Sequence, residues 1–152
     1  MAASDMRDPD APPVHLQPLS LLLVFAGGAF GTLARFGAEE WAATRVPGWP
    51  WATWAVNIVG SLILGALMAG LAAAGPDTGV RQRIRLLAGV GFCGGLTTYS
   101  AFAGEVVARI DSGDLAIAIV YAALTIVACV AAAAAGHRLG VVWGARRRGS
   151  PS

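Results

Sequence analysis

The sequence predicts an all-α membrane protein with four transmembrane helices per chain, the third of them broken at its centre. Three observations carry this expectation. The 152 residues are 56% hydrophobic and 13% charged, against roughly 25% charged in soluble domains. The charges cluster, which leaves uncharged stretches at 19–34, 51–74, 86–104 and 115–136. These approach or exceed the ~20 residues that cross about 30 Å of hydrocarbon at 1.5 Å per residue. None shows the wide polar face that a helix of a soluble bundle carries.

The first span reaches full length only by continuing past Arg35. The leader before it holds Asp5, Asp8 and Asp10 against Arg7, so it lacks the basic start of a cleaved signal peptide. With Pro9, Pro12 and Pro13 it is expected to be a disordered tail over 1–18, followed by a channel-sized domain at 19–140 and a basic tail at 141–152. The connections carry breakers: Arg45-Val46-Pro47-Gly48-Trp49-Pro50, Gly75-Pro76-Asp77 and Asp111-Ser112-Gly113-Asp114.

Arginine supplies every base. The tails and second loop hold Arg7, Arg81, Arg83, Arg85, Arg138 and Arg146–Arg148, whereas the first and third loops hold only Arg45 and Arg109. By the positive-inside rule both termini are expected in the cytoplasm. The basic end either sets this topology or also touches anionic lipid headgroups. Gly27 and Gly31, Gly91 and Gly95, and Ser61, Gly65 and Ala69 recur at four-residue spacing, which marks close helix crossings in lipid. Cys93 and Cys129 both fall inside spans, which suggests packing residues, not a disulfide framework or a zinc site.

Polar groups inside the spans are the functional candidates. Arg35 either snorkels to the interface or faces an aqueous vestibule. Asn57 lies one turn before Ser61 in TWAVNIVGS, and its amide either joins two helices or lines a wet path. Tyr121, Thr125 and Cys129 form an i, i+4, i+8 stripe, with hydroxyls that line a path or bond back to their own helix. The first span is read as holding no acid, which removes the usual hardware of a proton-coupled exporter and leaves Glu105 as its sole candidate.

The third span contains Gly91-Phe92-Cys93-Gly94-Gly95-Leu96-Thr97-Thr98-Tyr99-Ser100-Ala101-Phe102. Each glycine costs a helix about 1 kcal/mol relative to alanine, and the run that follows has weak helix preference. Unwound backbone at this depth survives only where protein or a cavity satisfies it, and its freed carbonyls then suit a cation. The hydroxyls of Thr97, Thr98 and Ser100 and the electropositive ring edges of Tyr99 and Phe102 suit an anion. A glycine-mediated crossing with hydroxyls bonded back to the helix accounts for the same residues. Nucleic-acid binding and covalent catalysis have no support, because no basic stripe with aromatics and no nucleophile–base constellation is present.

GGAFGTLARF, TWAVNIVGSLILG and GFCGGLTTYSAF, in that order in a four-span chain, resemble the CrcB/Fluc fluoride channel family over roughly 27–129. The resemblance implies a passive, fluoride-selective channel in the plasma membrane, assembled as an antiparallel, dual-topology dimer with two pores. It implies a structural Na+ at the dimer centre, held by the main-chain carbonyls of Gly94 and Thr97. It places Asn57, Tyr99, Ser100, Phe102, Tyr121 and Thr125 on the anion path and Arg35 and Glu105 at its vestibule. Tyr99 and Ala101 depart from the family's usual Thr-Thr-Phe-Ser-Thr-Phe, and Cys129 stands where a hydroxyl is expected. The arginine bias also departs from dual topology, which favours one orientation and pairing with an oppositely biased homologue. A small proton-coupled exporter and a non-conducting partner subunit are the competing functions.

Overall fold

The computed structural model describes residues 17–45 and 49–148. Their regular structure is helical: α1 (Pro18–Arg45), α2 (Trp51–Ala74), α3 (Gly79–Ile84), a π-helical segment (Arg85–Cys93), α4 (Gly94–Leu96), α5 (Tyr99–Asp111) and α6 (Leu115–Arg148). Four stretches are long and apolar enough to cross a membrane: Pro18–Ala43, Trp51–Ala74, Gly79–Asp111 and Leu115–Ala145. Of the tail expected over 1–18, residues 1–16 lie outside the described residues, as do 149–152, and Pro18 already belongs to α1.

The helices outrun the uncharged stretches at several ends. α1 begins at Pro18, where a missing N–H costs a helix nothing. It passes Arg35 because that guanidinium pairs with Glu39 one turn on, at 3.3 Å. α6 continues past 140, so 141–148 extend the fourth helix; no proline interrupts Leu139 to Arg148. A feature that the sequence did not announce is the π-helical geometry of Arg85–Cys93.

The bundle is held by two parallel helix pairs, each built on glycine. α1 crosses the third span where Gly27 faces the Leu87 carbonyl, Gly31 the Phe92 carbonyl and Gly95 the Gly28 carbonyl. A methyl at any of these would fall onto backbone oxygen. α2 crosses α6 in the same manner, with Gly136 on Leu62, Gly140 on Ala66 and Gly65 on Ala133. Helices in lipid gain little hydrophobic attraction for one another, so this close approach supplies the packing. Partner positions ascend together in both pairs, which puts the starts of α1 and α3 and the ends of α2 and α6 at one end of the bundle. Arg81, Arg83, Arg85 and the Arg146–Arg148 positions share that end.

Helical geometry lapses at two residues of the third span. Thr97 (φ −79°, ψ 153°) and Thr98 (φ −146°, ψ 124°) are extended and separate α4 from α5. Thr98 then caps α5, its Oγ1 accepting from the Ala101 N–H at 3.2 Å.

Candidate functional site

The two extended threonines are held from α2. Asn57 Nδ2 donates to the Thr98 carbonyl at 3.0 Å, and Asn57 Oδ1 accepts from the Thr98 N–H at 2.8 Å. The side-chain amide thus replaces a peptide unit as partner. In an uninterrupted α-helix the Thr98 N–H would bond the Gly94 carbonyl and the Ala101 N–H would bond the Thr97 carbonyl. Here those donors go to Asn57 and to Thr98 Oγ1. Gly94 and Thr97 therefore lose their i+4 donors, and their carbonyls have the hard-oxygen chemistry that suits Na+. Among the described residues no group of three or more His, Cys, Asp or Glu could hold a metal.

Beside the clamp lies a cleft of about 440 Å³, lined by Asn57, Ser61, Thr97, Thr98, Phe102 and Thr125 among others. Tyr99 and Cys129 reach its wall too. Hydroxyl orientation decides how polar this wall is. Thr97 Oγ1 donates to the Cys93 carbonyl at 2.9 Å and Thr125 Oγ1 to the Tyr121 carbonyl at 2.7 Å. Each hydroxyl spends its proton on its own chain, which leaves lone pairs and a methyl for the cleft. Ser100 bonds with Thr98 Oγ1 at 3.2 Å and is exposed, outside the cleft lining. Tyr99 is 80% exposed with its ring 5.9 Å from that of Phe102.

Glu105 organises the neighbouring region. Thr53 Oγ1 donates to its Oε1 and the Tyr121 hydroxyl to its Oε2, both at 2.6 Å, the short range of charge-assisted bonds. Tyr121 is fully buried beneath Phe102, 5.5 Å between ring centroids. Of the stripe on α6, then, Thr125 and Cys129 face the cleft while Tyr121 points its hydroxyl at a carboxylate. Glu105, Thr53, Arg35 and Glu39 line a second cavity of about 650 Å³. Arg35 Nε also donates to the Gly95 carbonyl at 3.4 Å, which ties the second half of α1 to the glycine pair.

Sequence reasoning missed two residues that line this second cavity, Thr53 and Trp49. Thr53 was findable, since it lies four residues before Asn57 on one face of α2. Trp49 gave no signal, because a loop tryptophan is ordinary at a membrane interface.

The family model described as CrcB-like protein, Camphor Resistance (CrcB), matches residues 22–137. "Fluoride-specific ion channel FluC 2" of Leifsonia xyli is 46% identical over 135 residues, 89% of this chain and 92% of the relative. "Fluoride-specific ion channel FluC" of Bordetella petrii is 42% identical over 80% of this chain and 91% of its own length. The protein of that name from Pseudomonas fluorescens is 42% identical over 78% and 94%.

Proposed function

The chain belongs to the CrcB family of multi-pass membrane proteins, and on that premise we propose that it is a fluoride-selective passive channel that lets cytoplasmic fluoride leave the cell. Hydrogen fluoride crosses membranes as a neutral acid and dissociates inside, so a leak for the anion lowers internal fluoride without energy coupling. The relatives named above are fluoride-specific channels, and none of their names favours a proton-coupled exporter or a silent partner. The observation that carries the reading is the Asn57–Thr98 clamp beside a cleft with hydroxyl, amide and ring groups on its wall. The second N–H of Asn57 Nδ2 and the ring edges of Tyr99 and Phe102 are the groups there that can stand in for the water of a small, strongly hydrated anion.

Asn57, Tyr99, Ser100, Phe102, Tyr121 and Thr125 form the anion path in this reading, with Arg35 and Glu105 at the vestibule. The lost i+4 donors of Gly94 and Thr97 support a structural Na+ on their carbonyls. Bound there, the ion supplies fixed positive charge at the break of the third helix. Two carbonyls are too few for the six or more oxygens that hard cations take, so a second copy or an oppositely biased homologue, packed antiparallel across Gly94, completes the set. Nothing in the protomer lies within 4 Å of a Cβ at Gly94, which leaves that face open.

Fluoride efflux from proteoliposomes under a valinomycin-set potential tests the function. Efflux without a proton gradient is expected; a strict proton-gradient requirement, or silence both alone and with a homologue, would overturn it.

A further inference from the structure

We propose that the cavity between the end of α2 and the start of α3 holds one anionic glycerophospholipid, its phosphate on the Arg81 guanidinium and an acyl chain along Met68, Leu71 and Ala72. The inference needs the four membrane spans and nothing of what the chain conducts. The cavity measures about 320 Å³ and has two unlike walls. Met68, Leu71 and Ala72, in the last two turns of α2, form the apolar one, and Asp77, Arg81 and Arg85 form the other. One span ends at Ala74 and the next begins at Gly79, which sets the polar wall at headgroup depth. Met68, six residues before Ala74, lies about 9 Å further along the helix toward the bilayer centre. It is 43% exposed, so an acyl chain in the surrounding lipid reaches it. A basic pocket at a span end, continuous with apolar helix surface, suits both parts of an anionic lipid.

Arg81 is held in place without being neutralised. Its Nε donates to the Pro76 carbonyl at 2.8 Å, and its guanidinium carbon lies 3.5 Å from where a Cβ would stand at Gly75. One neutral acceptor thus fixes the guanidinium plane and leaves the two terminal nitrogens, whose fork matches two phosphate oxygens. Arg85, one turn on, is engaged differently, with Nε and Nη2 both 2.8 Å from Asp77 Oδ2. Among the described residues Arg81 forms no such ion pair. Asp77 set against Arg81, Arg83 and Arg85 leaves two positive charges at this turn. Asp77 is also the sole acid at this end of the bundle among the described residues, and His137 and Arg138 of α6 add no negative charge. A soluble phosphate would use the arginine and leave the α2 wall bare. A lipid uses both walls.

The experiment melts the purified full chain in a neutral detergent against rising concentrations of dioleoylphosphatidylglycerol, dioleoylphosphatidylcholine or glycerol phosphate. A ligand of the folded state raises the melting temperature with its concentration, which yields an apparent affinity. Detergent removes orientation in the membrane from the comparison, so any part Arg81 has in topology does not enter. Phosphatidylglycerol is expected to bind wild type at least about fivefold more tightly than phosphatidylcholine, and glycerol phosphate to give no shift. Arg81→Gln is expected to weaken phosphatidylglycerol about fivefold. Arg138→Gln removes the same charge outside this cavity and is expected within about twofold of wild type. Arg81→Lys keeps the charge and loses the fork, and it stands in, with a loss of about twofold, if Arg81→Gln does not fold. Equal affinity for the two lipids overturns the inference on wild type alone. So does an Arg81→Gln chain that binds like wild type, or an equal loss in Arg138→Gln, which marks diffuse attraction. A shift with glycerol phosphate as large as with the lipid makes the occupant a free phosphate and overturns the lipid.

Discussion

Asn57 and Thr98 make both hydrogen bonds of a peptide pair, 3.0 Å from Nδ2 to the Thr98 carbonyl and 2.8 Å from the Thr98 N–H to Oδ1. One side chain on α2 therefore takes the donor that would otherwise close the Gly94 carbonyl. Asn57 is 9% exposed, so water offers little substitute. Asn57→Asp keeps the acceptor, removes the donor and turns a negative oxygen toward a carbonyl. Fluoride efflux is expected to fall at least about tenfold, since each 1.4 kcal/mol is a factor of ten and an orphaned buried carbonyl costs about 1–3 kcal/mol. Undiminished efflux in proteoliposomes would remove Asn57 from the path.

Glu105 poses a question of coupling. Thr53 and Tyr121 donate to opposite oxygens of one carboxylate at 2.6 Å, joining α2, α5 and α6. Thr53→Val or Tyr121→Phe leaves one strong donor in place, whereas the double change leaves neither. The double variant is expected to lose about 1 kcal/mol more stability than the two singles together, because charge-assisted bonds in one network are not additive. Unfolding curves in detergent measure this. Additive losses would mean that the two hydroxyls act on Glu105 independently.

The glycines separate into two groups that their spacing alone does not distinguish. Gly31 faces the Phe92 carbonyl and the Leu96 N–H, so Gly31→Val cannot keep the crossing of α1 with the third span. Folded protein is expected to be lost. Gly94 is helical (φ −64°) with nothing within 4 Å of a Cβ, so Gly94→Val costs the protomer no helix propensity, valine ranking above glycine by less than about 1 kcal/mol. On the proposed assembly a valine there stands between the subunits. Gly94→Val is expected to yield folded protein that no longer cross-links as a dimer in the membrane. A normal yield of cross-linked dimer would place Gly94 away from the interface.

The four spans were legible because charge-free length is a one-dimensional property, and the Gly27–Gly31 and Gly91–Gly95 stripes were legible because four-residue spacing fixes a helix face. What these faces meet was not, since register between α1 and the third span depends on backbone approach that no residue encodes singly. Asn57 stood out as an amide in hydrocarbon, but its bond to Thr98 joins positions 41 apart in sequence. The π-helical turn from Arg85 to Cys93 left no pattern beyond its glycines. Tyr121 reads from its spacing as part of the Thr125 stripe, and only its burial under Trp49 and Phe102 turns its hydroxyl to Glu105.

Orientation is the last consequence of charge placement. Parallel pairing puts the start of α3, with Arg81, Arg83 and Arg85, at the same end as the close of α6, with Arg146, Arg147 and Arg148. Glu39, Glu40, Asp111 and Asp114 lie at the opposite end. Lys/Arg bias near the span ends sets orientation, and a bias this uneven is expected to favour one. Thr78, beside Arg81, is expected in the cytoplasm, and Ser112, in the turn after α5, outside. An impermeant maleimide added to intact cells should label Ser112→Cys and spare Thr78→Cys. Replacing Arg81, Arg83 and Arg85 together with alanine should bring labelling at Thr78→Cys. Equal labelling of both sites in the otherwise unaltered chain would instead mean dual topology, and an antiparallel dimer would then need no second homologue.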